Sequence, residues 1–212
     1  MQNYIDSLKW RYAVKKYDTT KKVSAEDLEQ LKEAVRLSVS SVGLQPYRII
    51  VIETQAVKEQ LAEAASGNNK NIFADASHLF IFVNEVNVGE QHVAKYINNI
   101  VSQRGVPHEA VSGFGDYIVG FLAGLTEEQR NIWTVKQTYI ALSNLINGAA
   151  VLKIDTTPME GFDAGKLNEL LNLDAKGLSA AVVAAVGYRH EEDAVQHAKK
   201  VRKTNEELFI TL

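Results

Sequence analysis

The chain has no cysteine, two methionines and five histidines among its 212 residues. Without a thiol there is no cysteine nucleophile, no disulfide framework and no thiolate site for zinc or an iron–sulfur cluster. The histidines, at 78, 92, 108, 190 and 197, have none of the short spacings by which two side chains reach one metal. No charge of one sign dominates: 23 Lys and Arg against 26 Asp and Glu leave a net charge of −3, too little basic field to hold nucleic acid. Long apolar runs are missing too. The longest, Ala180 to Val186, has the length of a strand and not of a bilayer span. The start, Met1 to Asp6, lacks the basic and apolar segments of a secretory signal. No Gly-x-Gly-x-x-Gly fingerprint follows the first strand candidate, which disfavours a doubly wound dinucleotide fold, and no Gly-x-Ser-x-Gly is present. There is no repeat and no linker rich in Pro, Gly or Ser. The expectation is one domain over 1–212 in a soluble, cytoplasmic protein whose partners are neither nucleic acid nor membrane.

What is present is an ordinary globular composition, 46% apolar and 23% charged, on a chain long enough to bury a sizeable core. Apolar spacing predicts a first helix over Tyr4 to Tyr12. Ser24 reads as the cap of a second, with Asp27 reaching back and Leu28, Leu31, Val35 and Leu37 along it. Tyr47 to Ile52 is a β-branched run after Pro46 and reads as a strand. A helix follows over Thr54 to Ala65, then a loop from Ser66 to Lys70. His78 to Val83 is a second strand. Gly89 to Gln103 and Glu109 to Leu122 read as helices. Thr126 and Gln129 form a capping box that opens a long helix reaching Leu152. A short helix spans Phe162 to Leu171. Leu178 to Gly187 is almost wholly apolar, the mark of a central strand covered on both faces. Leu208 to Leu212 reads as a last short strand. Three or more strands between helical layers make an α+β domain.

Several residues could carry chemistry. Arg11 and Lys15, four apart, share a face of a continuous helix, where a planar fork and a point charge suit a phosphate. With Lys9, Lys16, Lys21 and Lys22 beside them they equally suit a solvated basic face. Ser40 and Ser41 followed by Gly43 and Pro46 read as a helix end whose freed N–H groups can meet a ligand. Asn69 and Asn71 sit in turn-forming sequence. Pro158-Met159-Glu160-Gly161-Phe162 is a tight turn with Asp163 as a cap, and Gly161 allows close backbone approach. Lys200 and Arg202, with Lys199 and Lys203 as alternatives, are an exposed basic tail or part of an anion site. A phosphate of about two negative charges needs several cations around it once it is partly buried. His78 reads as a core histidine. Trp133, Phe114, Phe121 and Tyr117 either line a mouth or pack a core.

Taken together and in this order, these segments resemble the nitroreductase family of FMN-dependent NAD(P)H oxidoreductases. The family opens with a helix ending in Arg-x-Ser/Thr-x-Arg/Lys; Arg11 and Lys15 match, with Tyr12 and Ala13 between them, and Ala13 stands where a hydroxyl is usual. Its Pro-Ser-Ser-x-Asn-x-Gln-Pro motif is matched at Ser40, Ser41, Gln45 and Pro46, with Val39 for the proline and Gly43 for the asparagine. The Gly43 change is expected to weaken a polar clamp and widen the pocket. Asn69 first, or Asn71, corresponds to an asparagine at the isoalloxazine edge. Pro158, Met159, Glu160 and Gly161 match a turn whose Glu-Gly backbone N–H points at flavin N5. Lys200 and Arg202 match a closing Lys-x-Arg that meets the FMN phosphate.

The resemblance implies a three-layer α/β/α sandwich with a mixed, mostly antiparallel central sheet. It implies an intertwined homodimer with FMN at the interface and a tail, about 188–212, that crosses to the partner subunit. The long helix from Thr126 would form the dimer core. It further implies ping-pong hydride transfer from NAD(P)H through flavin N5 to a small electron-poor acceptor such as a nitroaromatic or quinone. No catalytic side chain is assigned; Glu160 acts through its backbone. A dihydropteridine or free flavin reductase of the same superfamily, or a flavin-binding protein of low turnover, are the alternatives.

Overall fold

Alternation in two apolar strands divides the core into two faces. The computed structural model describes residues 1–212. Its elements in chain order are α1 (Gln2–Trp10), α2 (Ala25–Arg36), β1 (Tyr47–Ile52), α3 (Gln55–Ala62), α4 (Asn69–Asp75), β2 (His78–Glu85), α5 (Glu90–Arg104), α6 (Glu109–Ala123), α7 (Glu127–Val151), β3 (Asp155–Met159), α8 (Ala164–Leu171), β4 (Leu178–Gly187) and α9 (Asn205–Leu208). The strands form one sheet in the order β1-β2-β4-β3, and every pairing in it is antiparallel. The one parallel element is an isolated bridge from Ala13 to Thr156.

In β2, Leu79, Ile81 and Val83 face one way and meet Leu61, Ile72, Phe73 and Leu167 from α3, α4 and α8. Phe80 and Phe82 face the other way and meet Leu28, Leu31, Val35, Leu142 and Leu145 from α2 and α7. Period-two alternation on a strand buried on both sides makes this division. In β4, Val182, Ala184 and Val186 join the second face, Val183 and Ala185 the first. The pairing register shifts at Phe82/Val83, where Val182 and then Ala180 lie opposite. Ala181 is thus an extra residue, and Leu178 and Ala180 fall on the same face as Val183, as a bulge requires. A smaller cluster of Leu44, Val88, Val93, Ile97, Ile100, Ile118 and Leu122 closes the α5–α6 pair. No helix is long and apolar enough to cross a membrane.

Most elements fall where the sequence places them, and the differences are local. Ser24 caps α2 through the Asp27 amide, but the Asp27 carboxylate accepts from the Ser24 hydroxyl and not from its backbone. Leu37 lies just past the helix and is exposed. The loop expected over Ser66 to Lys70 ends at Asn68, because Ile72 and Phe73 are buried and draw the chain into α4. Asp155 to Met159 is a strand that polar Thr-Thr-Pro sequence concealed. It lies at a sheet edge, the place where a residue without an N–H such as Pro158 is tolerated. Leu208 to Leu212 forms no strand: α9 covers Leu208, and the residues beyond it are exposed. They have no strand of their own chain alongside.

Candidate functional site

The expected basic helix face is not helical. α1 stops at Trp10, and Arg11 already has φ −73° and ψ 145°, so the segment that contains Ala13 runs extended beside Thr156. In an extended chain side chains repeat every two residues, so Arg11, Ala13 and Lys15 still alternate with Tyr12 and Val14. Val14 is fully buried and Lys15 exposed. Asp193, itself buried, holds this segment. One carboxylate oxygen accepts from the Lys15 amide at 2.7 Å, the Lys16 amide at 3.3 Å and the Tyr12 hydroxyl at 3.1 Å. Its other oxygen accepts from the Val195 amide at 3.1 Å. The Tyr12 side chain is thereby committed to the fold, and only its backbone is left for a ligand.

Two residues farther along the fold brace the same region. Asp155, 2% exposed, accepts the Arg189 guanidinium at 2.6 and 3.0 Å and its amide at 2.8 Å. The guanidinium carbon lies 4.3 Å from the Trp10 ring centre and 4.5 Å from that of Tyr12. Arg189 is therefore stacked between two aromatic faces, a use for which a planar cation is suited.

Lys200 donates to the carbonyls of Leu8 and Arg11, which brings the two cationic ends of the sequence together. Burial and then Arg202 lower the Arg11 pKa from its ordinary value. Burial, then Arg11 and Arg202, lower that of Lys200. These directions mark like charges gathered in a partly desolvated place: Asp155 opposes the shift of Arg11 but does not cancel it, being bound to Arg189, and none of Arg11, Lys15, Lys200 or Arg202 takes part in an ion pair. The Arg11 Nε is buried with no hydrogen-bond partner. A buried, unpaired donor amid three cations has the chemistry of an anion site. Lys199 and Lys203 are exposed and make no hydrogen bond from their side chains.

The turn after β3 is fastened to α4 and to the segment between α3 and α4. The Gly161 carbonyl accepts from the Ser66 amide at 2.9 Å and from Asn69 Nδ2 at 3.0 Å. A Cβ on Gly161 would sit 2.7 Å from that same nitrogen, so a larger residue there would push the Asn69 side chain off the carbonyl. Asn69 and Asn71 are helical residues of α4, not loop residues. Asn69 reaches the turn, whereas the exposed Asn71 side chain bonds back to Asn68 at 3.3 Å. Asn68 in turn donates to the Lys15 carbonyl at 3.4 Å. Arg11 to Lys15, Asn69, Pro158 to Gly161, Lys200 and Arg202 are thus joined into one region.

The 39–46 segment is not part of that group. α2 ends earlier than Ser40 and Ser41 suggest, at Arg36, and Ser41–Gly43 is a single 3-10 turn. Gln137 of α7 accepts the Ser41 amide at 2.8 Å, the Ser40 hydroxyl accepts the Gln45 amide at 2.8 Å, and Asn144 donates to Ser38 at 2.9 Å. None of these bonds reaches the cations. The backbone is strained: Val42 and Gln45 have φ of 52° and 46°, a region costly for side chains and above all for a β-branched one. Val39 is 72% exposed. At Gly43, φ +74°, a Cβ would lie 2.2 Å from the Tyr96 hydroxyl, so Tyr96 of α5 occupies the space beside the glycine. Phe121 and Trp133 pack edge to face inside the α5–α6 cluster. Phe114 and Tyr117 stack on its outside, Tyr117 63% exposed. His78 is buried and bonded to Ser77 at 2.9 Å, a core histidine. Asp193, Arg189, Gln137 and Tyr96 carried no local signal, because each works through a partner distant in sequence.

A model described as the nitroreductase family matches residues 8–188. The major NAD(P)H-flavin oxidoreductase of Aliivibrio fischeri is 35% identical over 214 residues, 98% of this chain and 98% of its own. Among solved structures, a nitroreductase family protein from Streptococcus pneumoniae superposes with a TM-score of 0.85 at 20% identity, over 99% of this chain and 100% of its own. A protein of Exiguobacterium sibiricum, provisionally named a nitroreductase and solved in complex with FMN, gives 0.84 at 19% identity, over 99% and 97%. The two structures share the fold. The family model and the relative at 35% identity go further: this chain belongs to the nitroreductase family.

Proposed function

We propose that the protein is an FMN-dependent NAD(P)H oxidoreductase whose phosphate site is the Arg11, Lys200 and Arg202 group. The orphaned, buried Nε of Arg11, in a group of three cations none of which is in an ion pair, carries this reading. A dianionic phosphate would supply both the missing acceptor and the missing charge. Lys15, whose backbone Asp193 fixes, adds a fourth cation. Asn69 and the Glu160–Gly161 backbone would meet the ring. The chemistry that FMN would supply when held there is hydride transfer between NAD(P)H and an electron-poor acceptor such as a nitroaromatic or quinone. No general acid or base is required of the chain; its residues bind, orient and aim a backbone N–H. A free flavin is the second reading for the acceptor, favoured by the name of the Aliivibrio relative.

We also propose that the protein is a homodimer, one domain per chain, in which Ser40, Ser41 and Gly43 contact the flavin held by the partner. A cleft of about 700 Å³ runs beside β1, with a floor that includes Val35, Ile49 and Phe80 and a rim that includes Lys32, Arg36 and Lys95. β1 is a sheet edge with unpaired backbone groups. The tail presents Glu206 and Glu207, then exposed Leu208, Phe209, Ile210 and Leu212. Its acidic and apolar character complements that of the cleft on a second copy.

The test is the visible spectrum of the purified protein and its response to anaerobic NAD(P)H. Flavin absorption that bleaches with the donor and returns with a nitroaromatic supports the reading. A protein that cannot be reconstituted with FMN refutes it. Arg202→Ala is expected to weaken FMN binding by about 1.5–3 kcal/mol, the range for a hydrogen bond to a charged group, read by fluorescence titration.

A further inference from the structure

The turn that ends β3 is gripped from two sides, and one grip has no place in the function described so far. From α4 and the segment just before it come the Asn69 and Ser66 bonds to the Gly161 carbonyl, with a bridge from Ala65 to Phe162. From the opposite side comes α7. The Tyr139 hydroxyl donates to Glu160 Oε1 at 2.6 Å, and it is the only side-chain partner Glu160 has. A bond of that length to a carboxylate is charge-assisted and strong for its kind. Tyr139 sits on a well-anchored stretch of helix, for its neighbours Thr138, Ala141 and Leu142 are buried. Burial and then Glu160 raise the phenol pKa to about 12, so the phenol keeps its proton and remains a donor at any ordinary assay pH.

We propose that Tyr139 is a positioning residue that fixes the Glu160 carboxylate beside the reactive edge of the flavin and draws off part of its charge, and thereby sets how readily that flavin is reduced. The inference rests on the FMN reading above. A carboxylate near a group that is about to gain electrons opposes the gain. Sharing its charge with a phenol O–H lessens the opposition, and tethering it keeps the Glu160–Gly161 amide aimed at the ring. Cofactor electronics are tuned by just such neighbouring hydrogen bonds and charges.

The experiment is a redox titration of the FMN-loaded protein as wild type, Tyr139→Phe, Glu160→Gln and the double variant. Tyr139 is 36% exposed, so loss of its hydroxyl leaves the fold intact, which a thermal midpoint verifies. Tyr139→Phe is expected to disfavour reduction about tenfold, equivalent to 29.6 mV for a two-electron couple. Glu160→Gln is expected to shift the potential the other way, and the double variant to match Glu160→Gln alone. An unchanged potential in Tyr139→Phe with FMN bound overturns the inference while leaving the cofactor reading intact. So does a Tyr139→Phe effect that persists unaltered in the Glu160→Gln background. A wild type that takes up no FMN overturns both.

Discussion

Asp155, Lys58 and Gly43 each hold a position that their own chemistry alone would not favour. Asp155 is buried and tolerable only because Arg189 is bidentate upon it and stacked between Trp10 and Tyr12. Asp155→Ala leaves that guanidinium with one side unpaired and is expected to cost about 3–5 kcal/mol, measured by urea denaturation. Lys58 is wholly buried and donates to the carbonyls of Ala74 and Ala76 at the end of α4. Burial, and then Lys22, push its pKa from 10.5 down to about 8. The folded protein therefore holds this proton less tightly than the unfolded chain. The penalty is full below about pH 8 and is released as pH rises from 8 towards 10.5. Wild type should gain stability relative to Lys58→Met across that window, and parallel stability–pH curves would contradict this. At Gly43, Asn tolerates the left-handed backbone, but its Cβ meets the Tyr96 hydroxyl. Gly43→Asn should lower the thermal midpoint, and Tyr96→Ala in the same chain should recover most of the loss.

Among the elements, α7 has the most neighbours to satisfy. Gly148 lets it lie against α2, where an added Cβ would be 3.3 Å from the Ala34 Cβ. Gly148→Leu would overpack that crossing by about 1–3 kcal/mol, visible as a lower denaturation midpoint with an unchanged slope. The elements legible in the sequence are those whose own residues decide them. Tyr47 to Ile52 and Leu178 to Gly187 are strands because β-branched and apolar residues line both faces, and Thr126 caps α7 with Gln129 alone. α4 was hidden because Gly-Asn-Asn-Lys has turn chemistry, overridden by the burial of Ile72 and Phe73. β3 was hidden because Thr156, Thr157 and Pro158 owe their extended form to β4 alongside. In the candidate site the cationic ends and the Glu160–Gly161 turn were legible as motifs. The grip of Asp193 on the Lys15 amide was not, since it spans 178 residues.

At the scale of the whole molecule, removal of residues 204–212 tests the proposed exchange of tails. The shortened chain keeps Arg11, Lys200 and Arg202, yet it should sediment as a monomer and bind FMN weakly; an unchanged dimer would show that the tail is not the clasp. The separation of the 39–46 loop from the cations has a further result in the proposed dimer. A change at Arg202 spoils the pocket of its own chain, while a change at Ser40 and Ser41 spoils the pocket of the other. In a mixed pair built from one of each, both injuries fall on the same pocket and the second is whole. Two inactive preparations, unfolded and refolded together, should therefore recover activity that neither has alone, with at most half of the pockets in each mixed pair at work.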